Sequence, residues 1–135
     1  MAKPPVDTFE KMMIFVESQL RTKRFVANYQ PVMIRLLLQN GNQTKKQIAQ
    51  ELWEQNDSKR DTSFYLTVPV YRVLVENGVV TKNGNVFSLI LNNLSENEKQ
   101  TLLGELDSSI TRQNTFAEKG FLPFKDAKSK VQELA

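Results

Sequence analysis

Residues 79–91 constrain the fold more than any other stretch of the chain. Two runs rich in β-branched and large apolar residues, VVTK and NVFSLIL, flank Asn83-Gly84. Asn-Gly between such runs is the strongest short-range signal for a hairpin closed by a two-residue type I′ turn. With Lys82 opposite Asn85, Val80 faces Phe87, and Leu89 and Leu91 extend the same apolar face. Two strands alone are marginal in water, so other elements must cover that face.

The rest of the chain offers helices to do so. Asp7 and Glu10 read as a capping box after Pro4-Pro5, and Phe9, Met12, Met13, Val16 and Leu20 follow at helical spacing, which predicts a first helix over about 7–23. Its basic end, Arg21, Lys23 and Arg24, suits a helix C-terminus. Asn28 can cap a second helix with Pro31 in its first turn, where a missing N–H costs little. Met33, Leu36 and Leu37 form its stripe, widened by Val32, Ile34 and Leu38, and Asn40-Gly41 stops it. Thr44 and Gln47 make a capping box for a third helix that buries Ile48, Ala49, Leu52 and Trp53. After the polar connection 56–63, a fourth helix is predicted from near Thr67, because Pro69 is tolerated only in a first turn. Val70, Val73 and Leu74 pack inward and Asn77-Gly78 closes it. Beyond the hairpin, Ser95 and Glu98 cap a closing helix to about 113, with Leu102, Leu106 and Ile110 on its buried face. The tail carries Phe116, Phe121 and Phe124, expected to fold back on the first helix, with covering a partner subunit as the alternative.

At 135 residues the chain fits one domain and can bury about two-thirds of its unfolded surface. It contains no Cys and no His. That removes zinc fingers, Cys/His nucleophile pairs, the Ser-His-Asp triad and a histidine base, and with them most familiar catalysis. A chain without Cys has no disulfide framework and suits a reducing compartment. The apolar patch Met12 to Val16 is too short for a signal sequence or a membrane span. A cytoplasmic, nucleoid-associated protein with no cofactor and no membrane partner is expected.

The net charge of +3 is unevenly spread. Residues 21–83 carry ten basic side chains against five acidic ones, whereas residues 1–20 and 92–135 are each at −1. A positive excess confined to the middle of the chain is the footprint of a module that meets a polyanion there, with a merely solvated basic surface as the plain alternative.

Three helices followed by a two-stranded hairpin within about 65 residues is the layout of a winged helix-turn-helix. The segments YQPVMIRLLLQNGNQTKKQIAQEL and VYRVLVENGVVTKNGNVFSL resemble the small winged-helix domains that accompany nuclease domains in bacterial and archaeal restriction endonucleases, and archaeal winged-helix regulators. The resemblance covers residues 28–91. The expected fold is therefore mainly α with a small β-hairpin (α+β), a winged helix-turn-helix over 28–91 flanked by an N-terminal helix in 1–27 and by a C-terminal helix and aromatic tail in 92–135. One departure is the connection of about a dozen residues between the third and fourth helices, where three or four would do. Residues 56–66 have room for an extra turn there.

Double-stranded DNA is the expected partner, with a nuclease domain or subunit and a second copy of the chain as further partners the resemblance allows. Lys45 and Lys46, beside the cap Thr44, sit at the positive end of a helix dipole, where a phosphate would meet free N–H groups and two ammonium groups together. Lys59, Arg60, Thr62 and Ser63 precede the fourth helix. On that helix Tyr71 and Arg72 are the candidates for groove contact, Arg72 having an ion pair with Glu76 as its plain alternative. Lys82, Asn83 and Asn85 form the hairpin tip. The main rival is a protein-interaction winged helix for dimerisation or assembly, with an incidental basic surface. A nuclease is the lesser rival: Asp126-Ala127-Lys128 supplies one acid-x-Lys pair, but no partner carboxylate is convincingly placed beside it. No catalytic role is expected.

Overall fold

The computed structural model describes residues 4–20, 29–56 and 62–118. The order is α1 (Phe9–Phe15), continued by a π-helical turn (Val16–Leu20), α2 (Tyr29–Asn40), β1 (Gln43–Thr44), α3 (Lys45–Asn56), α4 (Thr62–Tyr65), α5 (Val70–Glu76), β2 (Val80–Asn83), β3 (Val86–Leu89) and α6 (Glu96–Glu118). The protein is mostly helical with one small antiparallel sheet, an α+β arrangement.

The core forms around α2, which is apolar on nearly all sides. Val32, Met33 and Ile34 are fully buried, and α2 packs against α3, α5, α6 and β3. A helix hydrophobic all round belongs at the centre of a domain. Met12 and Val16 from the N-terminal segment and Leu102 and Leu106 of α6, which packs on the π-helical turn, join it in one continuous cluster with Ile48, Leu52, Leu74 and Phe87. The flanking helices thus complete the core of the central segment. Arg35 ties the layers together: its guanidinium donates to Asp107 at 2.8 Å and lies 4.0 Å from Glu51. It belongs to the scaffold, although it counts toward the central positive excess.

Two of the three capping boxes form as expected. Gln47 N–H donates to Thr44 Oγ1 at 3.2 Å while Thr44 N–H donates to Gln47 Oε1 at 2.8 Å, and Ser95 and Glu98 repeat the exchange at 3.1 and 3.0 Å. The third differs. Thr8 caps α1, accepting from Lys11 N–H at 3.2 Å, and Asp7 instead pairs with the Lys11 ammonium at 2.9 Å, which holds its carboxyl below the usual carboxylate range. Gly41 takes a φ of +78 and donates its N–H to Leu37, the expected left-handed stop for α2. Asn28 and the expected basic helix end, Arg21, Lys23 and Arg24, lie outside the described residues.

The hairpin is present with a different turn. Asn83 pairs with Val86, so Gly84 and Asn85 are the two central residues, Gly84 at φ +63. Val80 accordingly opposes Leu89, and Lys82 opposes Phe87. The pairing has slid by two, which keeps every side chain on its expected face. A strand not anticipated from the sequence, β1, pairs with the other edge of β3, Gln43 with Phe87 and Thr44 with Val86, giving the order β1-β3-β2.

Further differences lie between the third helix and the sheet. The extra turn in the long connection is α4, whose Tyr65 ring meets Tyr29 and Phe64 edge-on at 5.7 and 5.1 Å. The following helix starts at Val70 with Pro69 at its cap, three residues later than expected. It buries Val70, Tyr71 and Leu74, leaving Val73 half-buried. Trp53, expected in the core, is 37% exposed on α3. The closing helix runs to Glu118, past the expected 113, so Phe116 lies within it; Phe121 and Phe124 lie outside the described residues.

Candidate nucleic-acid interface

Three elements from distant parts of the chain bring one cation each to a single groove. Lys45 comes from the start of α3, Arg72 from the outer face of α5 and Lys82 from β2, and together they line a cleft of about 600 Å3. The apolar part of its lining is Leu66, Val68, Pro69, Val75 and Phe87, with the Tyr71 ring beside them. No carboxylate is among the lining residues. Glu76 stands just outside, its Oε1 3.7 Å from Arg72 Nε, with both side chains mostly exposed. An exposed pair of that length is weak and leaves the guanidinium available.

Lys45 is the best-positioned of the three. Its backbone N–H donates to the carbonyl of Asn85 at 3.1 Å, which pins the hairpin tip to the start of α3. Its ammonium lies 5.3 Å from the centre of the Tyr71 ring, a cation–π contact that orients the side chain along the groove. Lys82 stands on the same sheet face as Phe87, exposed at the rim.

Tyr71 lines the groove, but it is mostly buried there rather than projecting from α5. It is 7% exposed, and its hydroxyl donates to the Tyr65 carbonyl at 2.8 Å, with the Lys45 carbonyl at 3.4 Å. Burial pushes the phenol well above its ordinary value. The ring packs on Phe87 at 5.3 Å. A buried tyrosine needs a partner for its hydroxyl, and the C-terminal end of α4 supplies one. Tyr71 is the strut that connects α4, α5, the start of α3 and the sheet.

Lys45 and Lys46, expected to act as a pair, diverge. Successive helical side chains point about 100° apart, and Lys46 lies over a shallow depression shared with Glu51 and Glu54, away from the Lys45 groove. The start of α3 also offers fewer free donors than expected. The N–H groups of Thr44, Lys45 and Gln47 are taken by Gln47, Asn85 and Thr44 in turn. Thr44 is therefore a cap, and an anion here would be met by side chains more than by backbone.

Among the other candidates, Asn83 and Asn85 are exposed at the hairpin tip, Thr62 begins α4 and Ser63 is exposed on it, and Lys59 and Arg60 lie outside the described residues. Sequence reasoning missed the α4–α5 connection. Thr67, Val68 and Pro69 line the groove, with Thr67 Oγ1 donating to the Phe64 carbonyl at 2.7 Å. Pro69 was the available signal, since it marks where the chain must turn into α5.

Among the described residues no group of three or more acidic side chains is placed to hold a metal ion, and no helix is long and apolar enough to cross a membrane. Asp126 and Lys128 lie outside the described residues. No family model matches this chain, and no curated protein or solved structure is similar enough to count as a match.

Proposed function

We propose that this chain is a non-catalytic, winged helix-turn-helix DNA-binding protein, serving either as the DNA-recognition module of a restriction system or as a small transcriptional regulator. The observation that carries the reading is the convergence of Lys45, Arg72 and Lys82 on one groove whose lining holds no carboxylate. The element order supports the fold name: helix, short strand, helix, a one-turn helix, helix and hairpin, with the short strand closing the sheet. In this reading Arg72 faces bases, since it is the exposed cation of α5, while Lys45 and Lys82 meet phosphates on either side of it. Cytoplasmic residence and a nuclease or second-copy partner belong to the same proposal.

The test is duplex-DNA retention as a function of salt. In this reading Lys45 and Lys82 meet phosphates and Lys46 can reach a third from outside the groove, so two to three neutralised phosphates predict a log–log slope of about −2 to −3. A slope near zero, or no retention at low salt, removes nucleic acid and favours the rival reading of a protein-interaction module. That rival has one observation behind it: Ile14 and Trp53 are large apolar side chains at the surface, 64% and 37% exposed.

A further inference from the structure

Asn-Gly occurs three times in the chain, at Asn40-Gly41, Asn77-Gly78 and Asn83-Gly84. In this dipeptide the glycine nitrogen can attack the preceding side-chain amide, because glycine carries no side chain to shield that nitrogen or restrict its rotation. The reaction requires a glycine N–H free to lose its proton and an asparagine side chain free to swing over it. The fold treats the three pairs differently. Gly41 N–H donates to the Leu37 carbonyl at 3.0 Å in the stop of α2. Gly78 is buried and its N–H donates to the Val75 carbonyl at 3.1 Å, while Asn77 Nδ2 donates to the Val73 carbonyl at 2.8 Å, so both reactants are held. Among the described residues, neither the Gly84 N–H nor the Asn83 side chain has a hydrogen-bond partner, and both residues are exposed at the hairpin tip.

We propose that Asn83 is a site of spontaneous covalent modification, converting through a cyclic imide to aspartate and isoaspartate, while the fold protects Asn40 and Asn77. The Gly84 nitrogen gives its proton to water or hydroxide and forms a bond to Cγ of Asn83. The bond from Cγ to Nδ2 breaks, and the amide nitrogen takes up a proton and leaves as ammonia. Water then adds to one of the two imide carbonyls. Opening at one restores the original backbone with an aspartate side chain; opening at the other routes the main chain through the former side chain and leaves the α-carboxylate free. Either product replaces a neutral amide by a carboxylate next to Lys82. The isoaspartate product also inserts a methylene into the backbone at the residue paired with Val86. The reaction goes beyond the DNA-binding reading and does not depend on it; only its effect on the groove does.

The test is incubation of the folded 135-residue chain at mildly alkaline pH, followed by peptide mapping by mass spectrometry. Acid is expected to accumulate at Asn83 roughly tenfold or more faster than at Asn40 and Asn77, whose reaction must wait for local opening. In denaturant the three sites should converge. Similar rates at all three sites in the folded chain, or no acid at Asn83, would overturn the proposal. Asn83→Gln should abolish conversion at that peptide, and persistence of acid there would assign it to another residue and equally overturn it. The aged protein should also lose DNA retention relative to the unaged protein; if the unaged protein retains no DNA, the DNA-binding reading fails while the mapping result stands.

Discussion

Tyr71→Phe separates two roles that one side chain could have on α5. The substitution keeps the ring on Phe87 and under the Lys45 ammonium, and removes only the hydroxyl that donates to Tyr65 at 2.8 Å. A buried carbonyl left without that donor costs about 1–2 kcal/mol. With an unfolding entropy near 2.1 cal/mol/K per residue over this length, the Tm should fall by about 4–7 °C at pH 8. The alkaline branch gives a second readout. Because burial raises the folded phenol above its ordinary value, the unfolded chain loses that proton first, from about pH 10 upward. The unfolded state then binds fewer protons than the folded one, so the parent loses stability as pH rises, by up to about 1.4 kcal/mol per pH unit from this group. Phenylalanine has no such loss. The two proteins should therefore become equally stable near pH 11, measured as the difference between paired denaturant melts so that other titrations cancel. Equal stability at pH 8, or a difference that stays constant to pH 11, would refute the assignment of Tyr71 as a buried strut. Altered DNA selectivity at unchanged Tm would instead make Tyr71 a groove reader.

Other perturbations address the hairpin, the rim and the flanking helices. Gly84→Val forces a β-branched residue to a φ of +63 and should cost about 1–2 kcal/mol, read as a Tm lowered by about 4–7 °C. Lys82→Ala leaves that geometry intact, so its Tm should hold while DNA affinity at 0.1 M salt falls roughly eightfold, the value of one phosphate contact, and the loss should shrink as salt rises. Arg72→Ala should narrow the gap between preferred and random DNA, whereas Lys45→Ala should weaken binding to all sequences alike; the reverse pattern would exchange their roles. Leu106→Ala should destabilise by about 2–5 kcal/mol, since Leu106 is fully buried, and a fragment of residues 28–91 should not fold cooperatively by circular dichroism because Met12, Val16, Leu102 and Leu106 complete its core.

What could be read from the sequence was what the chain decides locally. The boxes at Thr44–Gln47 and Ser95–Glu98 each close within one turn and formed as expected. The stop at Gly41 depends on a single residue's tolerance of positive φ. The hairpin was legible as an element, but its turn was not. Asn83-Gly84 and Gly84-Asn85 are both good turn dipeptides, and the two registers place the same side chains on the same face, so periodicity alone does not choose between them. The second edge of β3 is occupied by β1, which at two residues is too short to leave a pattern.

The site was the less legible part, because it is assembled by contacts between segments far apart in the chain. On a seven-residue helix, Val70, Val73 and Leu74 make as good an apolar stripe as Val70, Tyr71 and Leu74. The choice fell to Tyr71 because a carbonyl at the end of α4 stands ready to accept from its hydroxyl, and α4 itself is one turn, shorter than any helical period can reveal. With Tyr71 turned inward, the Lys45 ammonium gains a ring to lie against, and the Lys45 N–H holds the Asn85 carbonyl. That hydrogen bond joins residues on opposite sides of the domain's sequence and sets how far Lys82 stands from Lys45. A basic segment of net +5 thus resolves into cations with different fates: Arg35 is consumed by Asp107 and Glu51, Lys46 lines a separate depression with Glu51 and Glu54, and Lys45, Arg72 and Lys82 share a groove. A phosphate backbone responds to where cations stand more than to how many there are, so the salt slope of this protein should follow those few side chains and be insensitive to Arg35→Gln once any loss of stability is allowed for.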